Sequence, residues 1–235
     1  MNPIWYNAVL ASAGPNLKTG LISFWELEEA SGTRVDAHGS NNLTDVNTVT
    51  QATGKVGNAA QFTAANSEEL NIADNASLST GDIDFTLAAW VYLDTLPTTG
   101  SIMTKWTSGG NQREHMMIYQ TGLFRFFVSS NGSASSSVSA TTFGAPSTAT
   151  WYFVVGWHDA ANNVIGISVN GTANTASYSS GVFDSSSDFR IGTAGFGGAF
   201  MDGRIDQAGF WKKVLSTEEK TFLYNSGNGR AYSAL

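Results

Sequence analysis

The chain has 235 residues, a formal net charge of −7 and no cysteine, and its twelve basic residues are spread thinly along it. A nucleic-acid groove or an anionic membrane surface requires clustered Lys and Arg, so neither is predicted as a partner, and the composition excludes disulfides and thiolate metal sites. Charged residues make up 13% and aromatic residues 12% of the chain, which indicates a folded protein with ample apolar mass for a core.

The N-terminal residues 1–19 show no clear periodicity. They lack the basic region and the sustained apolar run of a signal peptide. No apolar run in the chain approaches the ~20 residues that span a bilayer, so membrane insertion is not predicted. We interpret residues 1–19 as an arm or linker that precedes one domain, residues 20–235. Its apolar side chains predict that the arm docks on a partner protein: Ile4, Trp5 and Tyr6.

Short strand-forming runs follow one another from Gly20 onward. In chain order they are LISFWEL, GNAAQFT, ELNIA, DFTLAAWVYL, SIMTKW, HMMIYQTGLFRFFV with a turn at Gly122, WYFVVGWHD, NVIGISVNG, FRIGTA and GRIDQAGFW. The run DFTLAAWVYL alternates between two faces that are both apolar, which predicts a central strand. The pair Asn170-Gly171 predicts a tight hairpin turn. Many short strands at regular spacing indicate an all-β sandwich.

One helix is predicted, in the C-terminal run LSTEEKTFLYNSGNG. Ser216 would be its N-cap, and Glu219, three residues further on, would complete a capping box. Phe222 and Leu223 give the helix an apolar side, and Gly227 lies where the helix is expected to end. The expected architecture is therefore a β sandwich with one short C-terminal helix.

Five blocks of sequence stand in a characteristic order: GLISFWELEEASGTRVDAHGSNNLT, GKVGNAAQF, DFTLAAWVYL, WYFVVGWHDAANNVIGISVNG and GRIDQAGFWKKVLSTEEKTFLYNSGNG. In order and spacing the blocks resemble LamG-like jelly-roll domains of the concanavalin A-like lectin/glucanase superfamily, and they cover about residues 20–229. The resemblance implies two antiparallel sheets packed face to face as a jelly-roll sandwich. It also implies a ligand site on the concave sheet and a structural calcium ion near the Asp of "GRID".

A calcium ion prefers six to eight oxygen ligands. Asp36 and Asn41 lie in the oxygen-rich stretch VDAHGSNN, and Gly57 would allow close approach of a backbone carbonyl. Asp206 lies in an apolar strand, where a buried carboxylate requires an ion or hydrogen-bond donors. We therefore predict one structural Ca²⁺ held by these four residues, with an Asx turn as the alternative for Asp36. Asp202 is expected at a hairpin tip.

Catalysis is not predicted. Related glycosidases carry paired acidic residues on one strand face, and retaining chemistry needs two carboxyl groups about 5–5.5 Å apart. The nearest candidates here, Glu26 and Glu28, lie where a strand exits into a turn, which favours a solvated strand end. The three histidines form no H-x-x-x-H pair, and no G-x-S-x-G elbow is present.

Sugar binding needs flat aromatic rings beside hydrogen-bonding side chains. Phe196 and Phe200 lie in the glycine-rich stretch TAGFGGAFMDG, which resembles a contact loop, although a packed bulge would look the same. For each tryptophan the alternative is a place in the core. The candidate ligand-binding residues are Trp106, Arg113, His115, Tyr119, Trp157, Phe196 and Phe200.

These observations predict a non-catalytic binding or structural module displayed on a surface. The favoured setting is a bacteriophage virion, where a capsid or tail decoration or adhesion protein would attach to other virion or surface proteins through its arm and bind glycans. A secreted or cell-surface bacterial lectin module is the first alternative, and a glycoside hydrolase is the second. A homo-oligomer is compatible with each.

Overall fold

The computed structural model describes residues 14–235, and in these residues fifteen strands form two antiparallel sheets. The strands are β1 (Leu21–Trp25), β2 (Thr44–Val46), β3 (Thr50–Thr53), β4 (Asn58–Phe62), β5 (Glu69–Ile72), β6 (Phe85–Leu93), β7 (Thr99–Thr107), β8 (Gln112–Gln120), β9 (Leu123–Val128), β10 (Ser136–Ser139), β11 (Trp151–Asp159), β12 (Val164–Val169), β13 (Thr172–Ser177), β14 (Phe189–Ile191) and β15 (Gly203–Trp211). One α-helix, α1 (Thr217–Tyr224), follows the last strand. The predicted two-sheet sandwich with a short C-terminal helix is confirmed.

The first sheet has the strand order β13-β12-β11-β6-β15-β4-β3, and β1 also pairs with β15. The second sheet has the order β10-β9-β8-β7-β14-β5-β2. Because β14 belongs to the second sheet and β15 to the first, the chain crosses between the sheets at residues 192–202. Asp202 therefore lies in an inter-sheet connection, which corrects its predicted place at a hairpin tip.

The main hydrophobic core lies between the two sheets, and β6 shows how the sequence creates it. Phe85, Leu87 and Val91 point into this core, whereas Trp90 packs on the opposite face of the sheet. Both faces of β6 are therefore covered, as predicted for a central strand. At Asn170-Gly171 both residues have positive φ, 50° and 88°, which a type I′ hairpin turn requires.

Helix α1 covers the outer face of the first sheet. The capping box between Ser216 and Glu219 is present as predicted, but the helix ends at Tyr224, where Asn225 adopts a left-handed conformation. Asparagine tolerates this conformation, so the helix ends before the predicted Gly227. Trp157 lies beneath the helix with the Lys220 ammonium 3.8 Å above its ring. It is a packing residue of the outer face, which corrects its candidacy as a ligand contact.

The last residues of the predicted arm pack on the sandwich. Leu17 is fully buried, and its carbonyl oxygen accepts a hydrogen bond of 2.8 Å from Trp211 Nε1. The Lys18 ammonium lies 4.4 Å above the ring of Tyr232. The arm residues predicted to dock on a partner lie outside the described residues: Ile4, Trp5 and Tyr6. No helix in the described part of the chain is long and apolar enough to cross a membrane.

Candidate ligand-binding site

Asp206 lies at a fork in the first sheet. One edge of β15 pairs with β4 along Gly203–Ile205 and with β1 along Ala208–Trp211, and the residues between are free of both strands. The turn between β3 and β4 enters this gap. The backbone N–H groups of Lys55 and Val56 donate to Asp206 Oδ2 over 2.7 Å and 2.9 Å. The carboxylate therefore replaces the cross-strand hydrogen bonds that the fork removes.

Only one oxygen of this carboxylate is satisfied. Asp206 is fully buried, and its Oδ1 has no hydrogen-bond partner among residues 14–235. Burial raises the pKa of Asp206 to about 7, although the donated N–H groups oppose the shift; the negative charge of Glu28 adds to it. Next to Asp206, Gln207 adopts a φ of 48°, so the fork also strains the backbone. The predicted need for a partner at this carboxylate is thus met by amides on one oxygen only.

The second acidic residue of the predicted calcium site is bound by amides on both oxygens. Asp36 Oδ1 accepts hydrogen bonds from the backbone N–H groups of Phe24, His38 and Gly39 over 2.9–3.0 Å. Its Oδ2 accepts one from Asn41 N over 3.0 Å. Four donors surround one carboxylate, which is the arrangement expected for an Asx-type turn that joins a loop to β1.

The four predicted calcium ligands do not fit one site. The Asn41 side chain bonds to Ser23 and Ser77, and the Gly57 carbonyl accepts a hydrogen bond from Gly54 N. Asp36 and Asp206 share no hydrogen-bond partner within residues 14–235. The described chain has no group of three or more His, Cys, Asp and Glu that could hold a metal ion. The predicted structural calcium ion stays a prediction, and Oδ1 of Asp206 is the oxygen of this set that has no partner in the described chain.

Glu26 and Glu28 contact different segments of the chain. Glu26 accepts a hydrogen bond from Tyr232 N over 2.9 Å, and Glu28 accepts one from Asn58 N over 2.8 Å. Leu27 between them has a φ of 63°, which ends the alternation of a strand. The two carboxylates therefore do not share a strand face as paired glycosidase groups would.

Two of the predicted ligand contacts lie in the core instead. His115 and Tyr119 are 0% and 3% exposed, because the alternation along β8 points both into the space between the sheets. The His115 ring lies against the rings of Phe85 and Phe210, at centroid distances of 5.1 Å and 6.2 Å. Neither of its nitrogens makes a hydrogen bond in the described chain, although Nδ1 lies 3.6 Å from Glu114 Oε1. Both residues are packing residues, which corrects their candidacy as ligand contacts.

Trp106 lies on the outer face of the second sheet but is only 4% exposed. Its ring packs edge-on against Phe127 at 6.3 Å, and the Arg113 guanidinium lies 5.6 Å from it. The glycine-rich connection covers this face, with Gly195 N donating to the Trp106 carbonyl over 2.8 Å. The predicted aromatic platform is therefore a covered hydrophobic cluster, with Arg113 half-buried at its edge.

Two glycines form the tip of this connection. Gly197 and Gly198 are exposed, and a Cβ added at either would meet no other atom within 4 Å. Phe196 is half-buried and packs on the Trp106 cluster, and Phe200 is also half-buried. The sequence left two structures open for this stretch, an exposed contact loop and a packed bulge. The two phenylalanines follow the packed alternative, and only the glycine tip projects into solvent.

A polar cleft of about 420 Å³, which the sequence analysis missed, opens at the end of the second sheet. It lies between the loop that follows β5 and the loop that precedes β14. Its walls carry carboxylates and hydroxyl groups and no aromatic ring. The lining residues are Asp74, Ala76, Ser79, Asp184, Ser185 and Ser186.

A buried ion pair lies behind two of the lining residues, Asp74 and Ser185. Lys105 and Glu114 are both fully buried, and Lys105 Nζ lies 2.7 Å from Glu114 Oε2. The same ammonium lies 2.9 Å from Asp74 Oδ1 and donates to the carbonyl of Ser185. The register of β7 and β8 shifts between Lys105 and Trp106, so Glu114 has no partner on β7. As a bulge residue it can direct its side chain toward Lys105.

The Glu114 carboxylate is fully satisfied. Its Oε1 accepts bonds from the N–H and the hydroxyl of Thr80, both 2.8 Å, and its Oε2 accepts one from Ser185 N over 2.9 Å. Burial by itself raises the pKa of Glu114, but His115 and Lys105 outweigh it and lower the pKa to about 2. The network ties both loops of the cleft to the sheet, so the walls are fixed before any ligand enters.

Comparisons with known proteins agree with this architecture. The architecture is that of a jelly-roll sandwich of two antiparallel sheets. A family model described as the concanavalin A-like lectin/glucanases superfamily matches residues 64–219, more than half of the chain. The chain therefore belongs to this superfamily, as its sequence resemblance predicted. No curated protein sequence matches the chain.

Several solved structures share the fold at low sequence identity. The binding domain of Paraclostridial mosquitocidal protein 1 is 15% identical with a TM-score of 0.73, over 90% of this chain and 53% of that one. Domain 4 of AbnA, a GH43 extracellular arabinanase from Geobacillus stearothermophilus, in complex with arabinotriose, is 18% identical with a TM-score of 0.66, over 86% and 97% of the two chains. The botulinum neurotoxin serotype D ligand binding domain, in complex with N-acetylneuraminic acid, is 11% identical with a TM-score of 0.63, over 89% and 51%. The present chain thus spans about half the length of the two toxin domains.

Proposed function

We propose that the chain is a non-catalytic carbohydrate-binding module and that its ligand enters the cleft at the end of the second sheet, here called the end cleft. The observation that carries the proposal is the 420 Å³ polar cleft, whose two loops are tied to a buried ion pair. Two structures that share the fold hold saccharides, arabinotriose in one and N-acetylneuraminic acid in the other. These are properties of those proteins, and they support the same ligand class here.

The lining of the end cleft suits saccharide hydroxyl groups. Asp74 and Asp184 offer carboxylate acceptors, and the hydroxyl oxygens of Ser79 and Ser186, which donate to Asp74 and Gln112, can accept from a ligand. Hydrogen bonds to a charged acceptor are the stronger kind. Since the ion pair already holds the walls in place, little ordering accompanies binding, which favours affinity.

We propose no turnover, because three of the four candidate carboxylates are engaged in structural contacts and glycoside hydrolysis needs a pair of acids. Asp74 is paired with Lys105 at 2.9 Å, and Glu26 and Glu28 bond to separate backbone segments. We expect no release of reducing sugar from oligosaccharides that bind. Hydrolysis that disappears in Asp184→Asn would contradict the proposal and favour a glycoside hydrolase.

The direct test is a binding measurement with a matched pair of variants. Asp184 is exposed, and its replacement by Ala removes one wall of the end cleft without touching the core. Glu218 is an exposed acid on α1, on the other sheet, and Glu218→Ala is the control. We expect Asp184→Ala to weaken oligosaccharide binding about tenfold, one lost charge-assisted hydrogen bond, with the control unchanged. Equal affinities for the two variants would place the site elsewhere.

Display on a bacteriophage particle stays a prediction, since the apolar arm residues on which it depends, Ile4, Trp5 and Tyr6, lie outside the described residues. A variant that lacks residues 1–13 keeps the buried Leu17, and its melting temperature is the control for folding. Attachment to the particle should be lost if the arm docks there. Retained attachment would refute the arm hypothesis and leave the binding proposal intact.

A further inference from the structure

We infer that the end cleft selects saccharides without anionic groups, that is, neutral or amine-bearing glycans. This inference rests on the proposed function and names its ligand class. The first observation is the charge of the walls. Asp74 has 33% of its side chain exposed and Asp184 is exposed, while none of the lining residues is basic.

The nearest cation cannot serve a ligand. Lys105 is 0% exposed, and its ammonium is enclosed by Glu114, Asp74 and the carbonyl of Ser185. An ammonium has three donors, and these three acceptors use them all. A carboxylate or sulfate on a saccharide would therefore find no free donor on Lys105.

Two arginines on strands of the second sheet, Arg190 in β14 and Arg113 in β8, are also held elsewhere. Arg190 pairs with Asp188 at 2.6 Å and with Glu69 at 3.7 Å. Arg113 donates to the carbonyl of Ser133 and lies against Trp106, on the outer face of the second sheet. Neither guanidinium lines the cleft.

The charges at the cleft therefore sum to a negative value. Lys105 contributes one positive charge, and Lys212, whose ammonium donates to the carbonyl of the lining residue Ala76 over 3.1 Å, contributes a second. Glu114, Asp74 and Asp184 contribute three negative charges, so the local sum is −1. An anionic sugar would bring its charge against the exposed carboxylate of Asp184, whereas a neutral sugar donates its hydroxyl protons to it. The whole chain adds to this field with its net charge of −7.

The contrast with one structural neighbour sharpens the inference. The botulinum serotype D domain shares the fold and holds N-acetylneuraminic acid, an anionic sugar. Arabinotriose, held by the arabinanase domain, is neutral. Selection by charge would give the present chain a neutral ligand, as in the arabinanase domain. An acidic sugar needs cationic partners, whereas the lining residues of the end cleft offer carboxylate and hydroxyl oxygens.

The test is a calorimetric panel on the full chain at low and physiological salt. Its probes are arabinotriose, a chitooligosaccharide and its deacetylated amine form as non-anionic ligands, with sialyllactose and trigalacturonic acid as anionic ones. We expect binding of the non-anionic set at least about tenfold tighter than of the anionic set, since like charges in contact are strongly disfavoured. Affinity for neutral probes should not depend on salt, whereas the amine form should weaken as salt rises.

Asp184→Asn separates charge from shape, and Glu218→Gln is its matched control. The Asp184 variant should gain affinity for the anionic probes while the control leaves the ranking unchanged. Tighter binding of anionic probes by the unaltered protein would overturn the inference but leave carbohydrate binding in place. Absence of binding to every probe, in a chain that is folded, would instead contradict the proposed function.

Discussion

Asp206 and Glu114 are both fully buried carboxylates, yet their pKa values move in opposite directions. The pKa of Asp206 rises to about 7 and that of Glu114 falls to about 2. Burial disfavours the charged form of each. The difference comes from the partners. Glu114 has Lys105 at 2.7 Å and donors on both oxygens, whereas Asp206 has two amides on one oxygen and the charge of Glu28 nearby.

The comparison separates a preorganised region from a strained one. At the end cleft every charge of the buried pair is matched, which allows two loops to present carboxylates and hydroxyls to solvent in fixed positions. At the fork the Asp206 carboxylate accepts the hydrogen bonds of the β3–β4 turn. Its Oδ1 stays without a partner in the described chain, and Gln207 beside it has a positive φ. The first arrangement suits a binding site, and the second joins β15 to the turn between β3 and β4.

The largest effect is expected from breaking the matched pair. Lys105→Met leaves Glu114 buried without its cation and should lower the free energy of unfolding by about 3–5 kcal/mol. The double variant Lys105→Met/Glu114→Leu removes both charges and should recover most of that loss. Urea unfolding measures both. A double variant as unstable as the single one would show that packing, not charge, accounts for the loss.

The unmatched carboxylate should give a pH dependence of about 2 kcal/mol. Because the folded state holds a proton on Asp206 up to a pKa of about 7, against 3.8 for the ordinary side chain, its contribution is present at low pH and is lost as pH rises toward 7. Between pH 5 and 7 the loss is about 2 kcal/mol. Asp206→Asn should flatten this slope, and Asp202→Asn should not. Thermal unfolding across the range provides the measurement.

The same experiment distinguishes a proton from a cation at Asp206. If calcium binds the free oxygen, adding Ca²⁺ at pH 8 will raise the melting temperature of the unaltered protein and not that of Asp206→Asn. If the proton alone compensates, Ca²⁺ will change neither. Glu114 supplies the reference of opposite sign, because its contribution is present above a pH of about 4.5 and is lost as pH falls toward 2.

A smaller effect is expected from the neighbour of Asp206. Glu28→Gln removes a negative charge that helps to raise the pKa of Asp206, while its amide oxygen can still accept from Asn58 N. The titration midpoint of Asp206, followed by ¹³C NMR of its carboxyl carbon, should move below that of the unaltered protein. The change corresponds to less than about 1 kcal/mol. An unchanged midpoint would mean that burial alone sets the pKa.

The sequence contained the information for the sandwich but not for the end cleft. The alternation of β6 and the capping box at Ser216 depend on neighbours within one element, so they could be predicted. The need of Asp206 for partners was predicted as well. Its donors, Lys55 and Val56, stand about 150 positions away and are ordinary residues in a turn.

The cleft escaped prediction because its residues come from distant loops with simple composition. ADNAS and DSSSD resemble solvent-facing loops, and only the folded second sheet brings Asp74 and Asp184 to one cleft. One signal was available. Lys105 and Glu114 are charged residues within otherwise buried strands, and such residues need partners. The aromatic residues predicted as ligand contacts were selected by residue type alone, and most of them pack in the hydrophobic clusters of the sandwich.

Chemical-shift mapping during titration with a neutral oligosaccharide tests the central claim most directly. The account expects saturable shifts in the amides of Asp74–Thr80 and Asp184–Ser187, with Lys55 and Val56 at the fork unchanged. Shifts confined to Phe196–Phe200 and the Trp106 face, with the end cleft silent, would contradict it.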